Sequence, residues 1–240
     1  MLNRFVSISV SGWSRPLRRG FLCICLLFPL VVPAQNLHRF GDPVDVSRWI
    51  TTRFAKGKLP PFSFYYNERP SVEFIRKWQY KAEKLASDDP SVLRYLYTYR
   101  DPATGLTLEC RVKGFMDFQA VEWVMNFTNA SSANTPKIRD VKVVDLTLED
   151  RRGAGFDLLH LEGVHCFGSR SDFRPHYDAL KPGKTLDIHP DLEQGRSSDE
   201  TAMPFFNLVS GDDRGVVAAL GWTGTWSAAF STADASAVTL

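Results

Sequence analysis

Of three neighbouring stretches between residues 92 and 127, the second and third set apolar residues on one face with a period of two, the pattern of an extended chain with one buried face. VLRYLYTY, from Val92 to Tyr99, is rich in branched and aromatic residues. LTLECRVK sets Leu106, Leu108, Cys110 and Val112 on one face. The third stretch sets Val121, Trp123, Met125 and Phe127 against Glu122, Val124 and Asn126. DPATG joins the first two, with Pro102 and Gly105 placed for a tight turn, so residues 92–113 are expected to form a hairpin with one wet face.

The rest of the chain repeats the pattern. FSFYYN (62–67), IRDVKVVDLTLE (138–149), residues 156–164 and 185–188, PFFNLV (204–209), VVAALGW (216–222) and TWSAAF (225–230) all carry strand composition. Strands follow one another every 8 to 15 residues with no βαβ crossover, which predicts an all-β fold: a large antiparallel β-sandwich. One segment has helical spacing. In PSVEFIRKWQYKAEKLAS, Val72, Ile75 and Trp78 recur every three to four residues behind Ser71 as a cap, which predicts one short helix. VSRWI (46–50) is expected to be a short amphipathic turn or helix covering an edge.

Residues 1–34 have the form of a secretory signal peptide. Arg4, Arg15, Arg18 and Arg19 come with no acid, FLCICLLFPLVV forms an apolar run from Phe21 to Val32, and cleavage is expected before Gln35. The run is shorter than the roughly 20 residues a membrane span needs, so membrane attachment is expected only where the signal stays uncleaved. The mature protein is then secreted or periplasmic. Removing 1–34 lowers Lys and Arg from 29 to 25 against 27 acids, and the formal charge passes from +2 to −2. No basic stripe interleaved with aromatics remains, which excludes nucleic acid as the expected partner. Cys110 and Cys166 are the cysteines left, compatible with one disulfide or with two buried thiols. No cysteine or histidine spacing fits a metal site, and no cofactor motif occurs.

Three loops carry the groups that chemistry or recognition would use. GWTGTW, Gly221 to Trp226, places Trp222 and Trp226 on either side of a Thr-Gly turn, where indoles stack on sugar faces or else anchor a core. Arg196, Ser197, Ser198, Asp199 and Glu200 form a polar cluster suited to hydroxyls or a carboxylate, and equally to plain solvation. His165, Ser169, Asp172, Phe173, Arg174 and His176 share a third loop. No serine or cysteine lies in a nucleophile elbow, so the chain is expected to hold no complete catalytic site.

The ordered runs FSFYYNERPSVEFIRKW, YTYRDPATGLTLECRVKGFMDFQAVEWVMNFTN, GSRSDFRPH, GRSSDETAMPFFNL and VVAALGWTGTW resemble the N-terminal β-supersandwich domain of bacterial alpha-galactosidase-like glycoside hydrolases of the melibiase clan. The resemblance spans about Pro61 to Phe230. It implies that residues 35–230 precede a (β/α)8 barrel that carries two catalytic aspartates in a retaining mechanism. Residues 231–240 would be a linker or the start of that next domain. By motif it implies sugar-contacting roles for Asp172, Phe173, Arg196, Ser197, Trp222 and Trp226 at a galactoside pocket. A free-standing carbohydrate-binding module and a structural or adhesive sandwich are the alternatives. The first calls for an exposed aromatic platform, the second for both tryptophans buried.

Overall fold

The computed structural model describes residues 4–12, 45–150, 153–164, 172–211 and 214–240. The strands are β1 Arg4–Gly12, β2 Ser63–Tyr66, β3 Arg69–Pro70, β4 Gln79–Leu85, β5 Val92–Arg100, β6 Leu106–Phe115, β7 Ala120–Asn129 and β8 Ile138–Lys142. They continue as β9 Thr147–Glu149, β10 Phe156–Leu161, β11 Pro175–Leu180, β12 Lys184–Ile188, β13 Phe205–Ser210, β14 Arg214–Leu220, β15 Ala228–Asp234 and β16 Ala237–Thr239. One helix, α1 Val46–Arg53, accompanies them among the described residues.

A nine-stranded sheet runs β11-β10-β13-β14-β1-β7-β6-β5-β4, beside a four-stranded sheet β12-β15-β16-β9 and a three-stranded sheet β3-β2-β8. All pairings are antiparallel, and the architecture is the expected sandwich-like all-β fold. The three stretches become β5, β6 and β7. Their inward residues line up across the sheet as Tyr95, Val112 and Trp123, then Tyr97, Cys110 and Met125, then Tyr99, Leu108 and Phe127. Phe127 is half-buried and the others are buried. At the predicted turn the Asp101 carboxylate accepts from the Ala103 N–H (3.0 Å) and the Thr104 hydroxyl (2.7 Å), and Gly105 takes φ +78°.

Two lids cover the inner face. Over β5–β7 sit α1 and the three-stranded sheet. Phe54 stacks on Tyr97 at 4.9 Å and meets Trp123 edge-on at 6.1 Å, while Phe64 meets Phe127 at 5.1 Å. Asp45 caps α1 by accepting from the Arg48 N–H at 2.9 Å. Over β10, β13 and β14 lies the four-stranded sheet, with Phe230 packed on Phe206 at 5.2 Å. Both halves share one continuous hydrophobic core.

The segment with helical spacing is not a helix. Ser71–Glu73 and Ile75–Lys77 are single 3-10 turns, Trp78 is extended, and Gln79–Leu85 is β4. Phe74 and Trp78 stack on each other at 5.2 Å and pack around Phe64 and Tyr66, so the three-to-four spacing reports an aromatic knot. Ser71, the expected cap, instead accepts from the Phe64 N–H at 3.2 Å. A seven-pair ladder to β5 then outweighs helix propensity, and the lysines of β4 suit the sheet edge it forms. The short helix is α1, where VSRWI was read as a turn or helix.

Two further expectations change. IRDVKVVDLTLE is two strands in two different sheets, β8 and β9. Asp140, at φ +48°, sits at an irregularity within β8, and beyond that strand the Trp123 indole donates to the Val143 carbonyl (2.8 Å) and the Asp145 N–H donates to the Pro61 carbonyl (2.9 Å). Residues 231–240, read as a linker or the start of a following domain, finish β15 and form β16, which pairs with both β15 and β9. Within the stretch read as a signal, Arg4–Gly12 lies between β7 and β14. The apolar run 21–32 lies outside the described residues.

Candidate functional site

Two of the three loops, 172–176 and 196–202, meet where β10 ends. Gly163 joins them: its N–H donates to the Asp199 carbonyl (2.7 Å), and its carbonyl accepts from the Phe173 N–H (3.2 Å). A side chain there would collide, since a Cβ would stand 2.3 Å from Ser198 Oγ and 2.4 Å from the Asp199 carbonyl oxygen. Beside it the Glu162 N–H donates to the Arg174 carbonyl at 3.0 Å.

The loop 196–202 is folded around a buried carboxylate. Asp199, 1% exposed, accepts from the N–H groups of Asp191 (2.6 Å), Thr201 (2.8 Å) and Ala202 (3.2 Å) and from the Thr201 hydroxyl (2.6 Å). Burial pushes its pKa up. The hydrogen bonds from Thr201, Asp191 and Ala202 outweigh that and hold the carboxyl below its ordinary value. Asp199 therefore shapes the loop, while Arg196 stays exposed at its tip and Ser197 is half-buried.

Glu162 is the second buried acid. Its Oε1 accepts from Arg174 Nη2 (2.7 Å) and Nε (3.1 Å) and from His176 Nε2 (2.8 Å). The Arg174 guanidinium, bonded to Glu162, is held above its usual pKa. His176 stacks on His160 at 5.0 Å with the rings 13° apart, and His160 Nε2 meets Asp178 at 3.0 Å. Neither acid has a serine or cysteine nucleophile bonded to it among the described residues.

The two tryptophans separate. Trp226 is core: its indole N–H donates to the Ser197 carbonyl (2.7 Å) and its ring meets Phe206 edge-on at 5.5 Å. Trp222 is half-buried and lies over Gly224, whose Cα hydrogen occupies space that a Cβ would fill 2.7 Å from Trp222 Nε1. It lines an open cleft of about 520 Å³ between the sheets, together with Val141, Val143, Leu220, Trp226 and Phe230. Phe173 is 51% exposed and holds φ +59°, a left-handed backbone that a bulky side chain rarely adopts.

Of the six expected contact residues, the structure links Ser197 directly to Trp226, and ties the Asp172–Phe173 turn to the Asp199 loop through Gly163. Trp222 faces the cleft, away from the Gly163 junction. His165 and Ser169 of the third loop, and Cys166, lie outside the described residues. Cys110 is a buried thiol whose pKa burial raises. The sequence reading passed over Glu162 and Gly163. An isolated acid inside the apolar run LLHLEGV was their one available signal, because a carboxylate at such a position needs partners.

Over the same strands the outer face of the nine-stranded sheet is mostly apolar, with Asp157 and Asn207 as polar members. Register places Val217, Asn207, Leu159 and Tyr177 in one outward row, with Phe205 and Ala219 in the next. Tyr177 is 76% exposed and Phe205 48%.

No family model matches the chain, and no curated protein does. Among solved structures it is similar in fold to the GH36 alpha-galactosidase AgaA from Geobacillus stearothermophilus, whose crystal structure is a complex with raffinose. The TM-score is 0.50 at 11% identity, over 76% of this chain and 26% of that one. The chain thus spans about a quarter of that enzyme's length, and the likeness is one of β fold.

Proposed function

We propose that this chain is a non-catalytic β-sandwich domain of an alpha-galactosidase-like glycoside hydrolase, exported and seated against a separate catalytic barrel. The observation that carries the reading is the outward apolar face of β10, β11, β13 and β14, where Tyr177 and Phe205 stand uncovered. Sheet faces left to water are normally polar, and an uncovered apolar patch marks an interface. The length relation supports it, because most of the similar enzyme lies outside the region this chain matches.

In this reading the 172–174 turn and the Arg196–Ser197 tip sit at the rim of a pocket for a terminal alpha-linked galactose, as raffinose has. Catalysis belongs to carboxylates of the barrel. Hydrolysis of a chromogenic alpha-galactoside tests this. The chain alone is expected to be inactive, and a version extended into the downstream reading frame active. In the extended protein, Tyr177→Ser with Phe205→Ser is expected to lower activity at least tenfold. An extended frame with no barrel, or full activity in the double variant, would overturn the docking role.

A second reading, a free-standing carbohydrate-binding module, draws on Phe173, an exposed aromatic beside Arg174. Sugar-array binding by the chain alone, abolished by Phe173→Ala, would favour it.

A further inference from the structure

We propose that Arg174 is the donor with which the rim fixes a pair of neighbouring sugar hydroxyls, and that buried Glu162 is its positioning residue. The inference rests on the reading of the 172–174 turn as part of a galactoside rim, and it adds a residue that the six expected contacts leave out.

The ion pair of Arg174 with Glu162 is lopsided. The Glu162 side chain is 8% exposed and the Arg174 side chain 62%. In the other arginine and lysine pairs of the described residues the carboxylate side chain is between 23% and 70% exposed, so those pairs are ordinary surface contacts. A buried acid that accepts charge-assisted bonds has little freedom to swing, and it passes that fixity to the cation it holds in solvent. Glu162 Oε1 accepts from Nε (3.1 Å) and Nη2 (2.7 Å) of Arg174, and is itself held by His176 Nε2 at 2.8 Å. The main chains are joined as well, the Glu162 N–H donating to the Arg174 carbonyl at 3.0 Å. Both the backbone and the guanidinium of Arg174 are thus tied to the residue that follows β10.

Those bonds use one edge of the guanidinium. The hydrogens of Nη1 and the second hydrogen of Nη2 have no acceptor among the described residues. That second edge offers two parallel N–H groups, which match two oxygens on neighbouring atoms. A carboxylate, a phosphate and the vicinal diol of a sugar all carry such a pair, and charge decides among them. The charge of Arg174 is already met by Glu162, and Asp172 adds a carboxylate two residues away, so the site favours the neutral diol over an anion. Phe173, adjoining Arg174 and 51% exposed, supplies an apolar ring for the face of the same sugar.

NMR titration of the nitrogen-15-labelled chain with raffinose tests this. The Arg174 Nε–H, shielded by its bond to Glu162, is expected to give a persistent signal that raffinose shifts and that galacturonic acid at equal concentration shifts less. Arg174→Lys keeps the charge that Glu162 needs and loses the paired donors. It is expected to hold the melting temperature and to weaken raffinose binding by about tenfold or more. A residue that only neutralised Glu162 would be replaced by lysine without loss, so unchanged binding in Arg174→Lys would overturn the proposal. An Arg174 signal that raffinose leaves in place, or a larger response to galacturonic acid, would overturn it too. If Arg174→Lys does not fold, wild type decides with monodeoxy methyl alpha-galactosides: affinity lost on removing either of two adjacent hydroxyls supports the paired contact, and equal affinity across the series refutes it. Hydrolysis by the extended protein is a separate readout. An inactive extended protein beside a raffinose-responsive Arg174 would remove the barrel and keep the contact, whereas an active one beside an unresponsive Arg174 would remove the contact and keep the barrel.

Discussion

The indole N–H of Trp226 donates to the carbonyl of Ser197 at 2.7 Å, which fastens the 196–202 loop to the last tryptophan of the GWTGTW turn. That turn and that loop are 29 residues apart in sequence, so the bond closes one edge of the candidate site from the inside. The indole itself is buried against Phe206 and is unavailable to a sugar.

Replacing Trp226 separates its two contributions. Trp226→Phe keeps most of the ring and leaves the Ser197 carbonyl without its donor, which is expected to cost about 1–2 kcal/mol. Trp226→Ala also empties the space against Phe206 and is expected to cost about 3–5 kcal/mol. Urea denaturation of the two variants, with equal m-values, measures both.

Asp199 makes the loop acid-sensitive in a definite direction. Its carboxyl is held below its ordinary pKa, so the stabilisation is complete above the unfolded value of about 3.9 and is lost as pH falls through the lower folded value. Wild type is expected to exceed Asp199→Asn by about 1–3 kcal/mol near neutrality, since the amide accepts fewer of the four hydrogen bonds. The difference should shrink as the medium passes below about pH 4, which thermal melts across pH 2.5–7 would follow.

How much of this was visible in the sequence depends on how local each signal is. β5, β6 and β7 were legible because Leu106, Leu108, Cys110 and Val112 alternate without interruption and their turn at Asp101–Gly105 is built from neighbouring residues. The false helix around Ile75 arose because Phe74 and Trp78 answer to Phe64 and Tyr66, contacts that no periodicity reveals. The division of β8 from β9 rests on the Asp145 N–H reaching Pro61, far away in sequence. At the site, the three loops were legible as polar and aromatic runs. The junction of two of them at Gly163 was not, because a glycine pinned between Ser198 and Asp199 looks like any other glycine in one dimension.

Gly114 offers a test of how α1 is seated. Its position on β6 lies under the helix, where a Cβ would stand 2.5 Å from Val46 Cγ1 and 2.7 Å from Ile50 Cδ1. Gly114→Ala is expected to push α1 off the sheet and to cost about 1–3 kcal/mol through overpacking. Pairing it with Ile50→Val should recover part of the loss, a non-additivity that a double-mutant cycle reads.

Phe173 is held against its own preference. Its φ of +59° costs a bulky L-residue about 1 kcal/mol or more, and the side chain, 51% exposed, recovers little of that by burial. The N–H bond to Gly163 keeps the backbone in place whatever the side chain, so Phe173→Gly is expected to raise stability by about 1 kcal/mol. A residue that destabilises its own loop while exposing an aromatic ring fits a surface used in recognition. Phe173→Gly should therefore weaken sugar binding or barrel-dependent hydrolysis as it raises the melting temperature. Opposite movement of the two readouts supports a recognition role for Phe173, whereas a stabilised variant with unchanged binding and hydrolysis would remove it from the site.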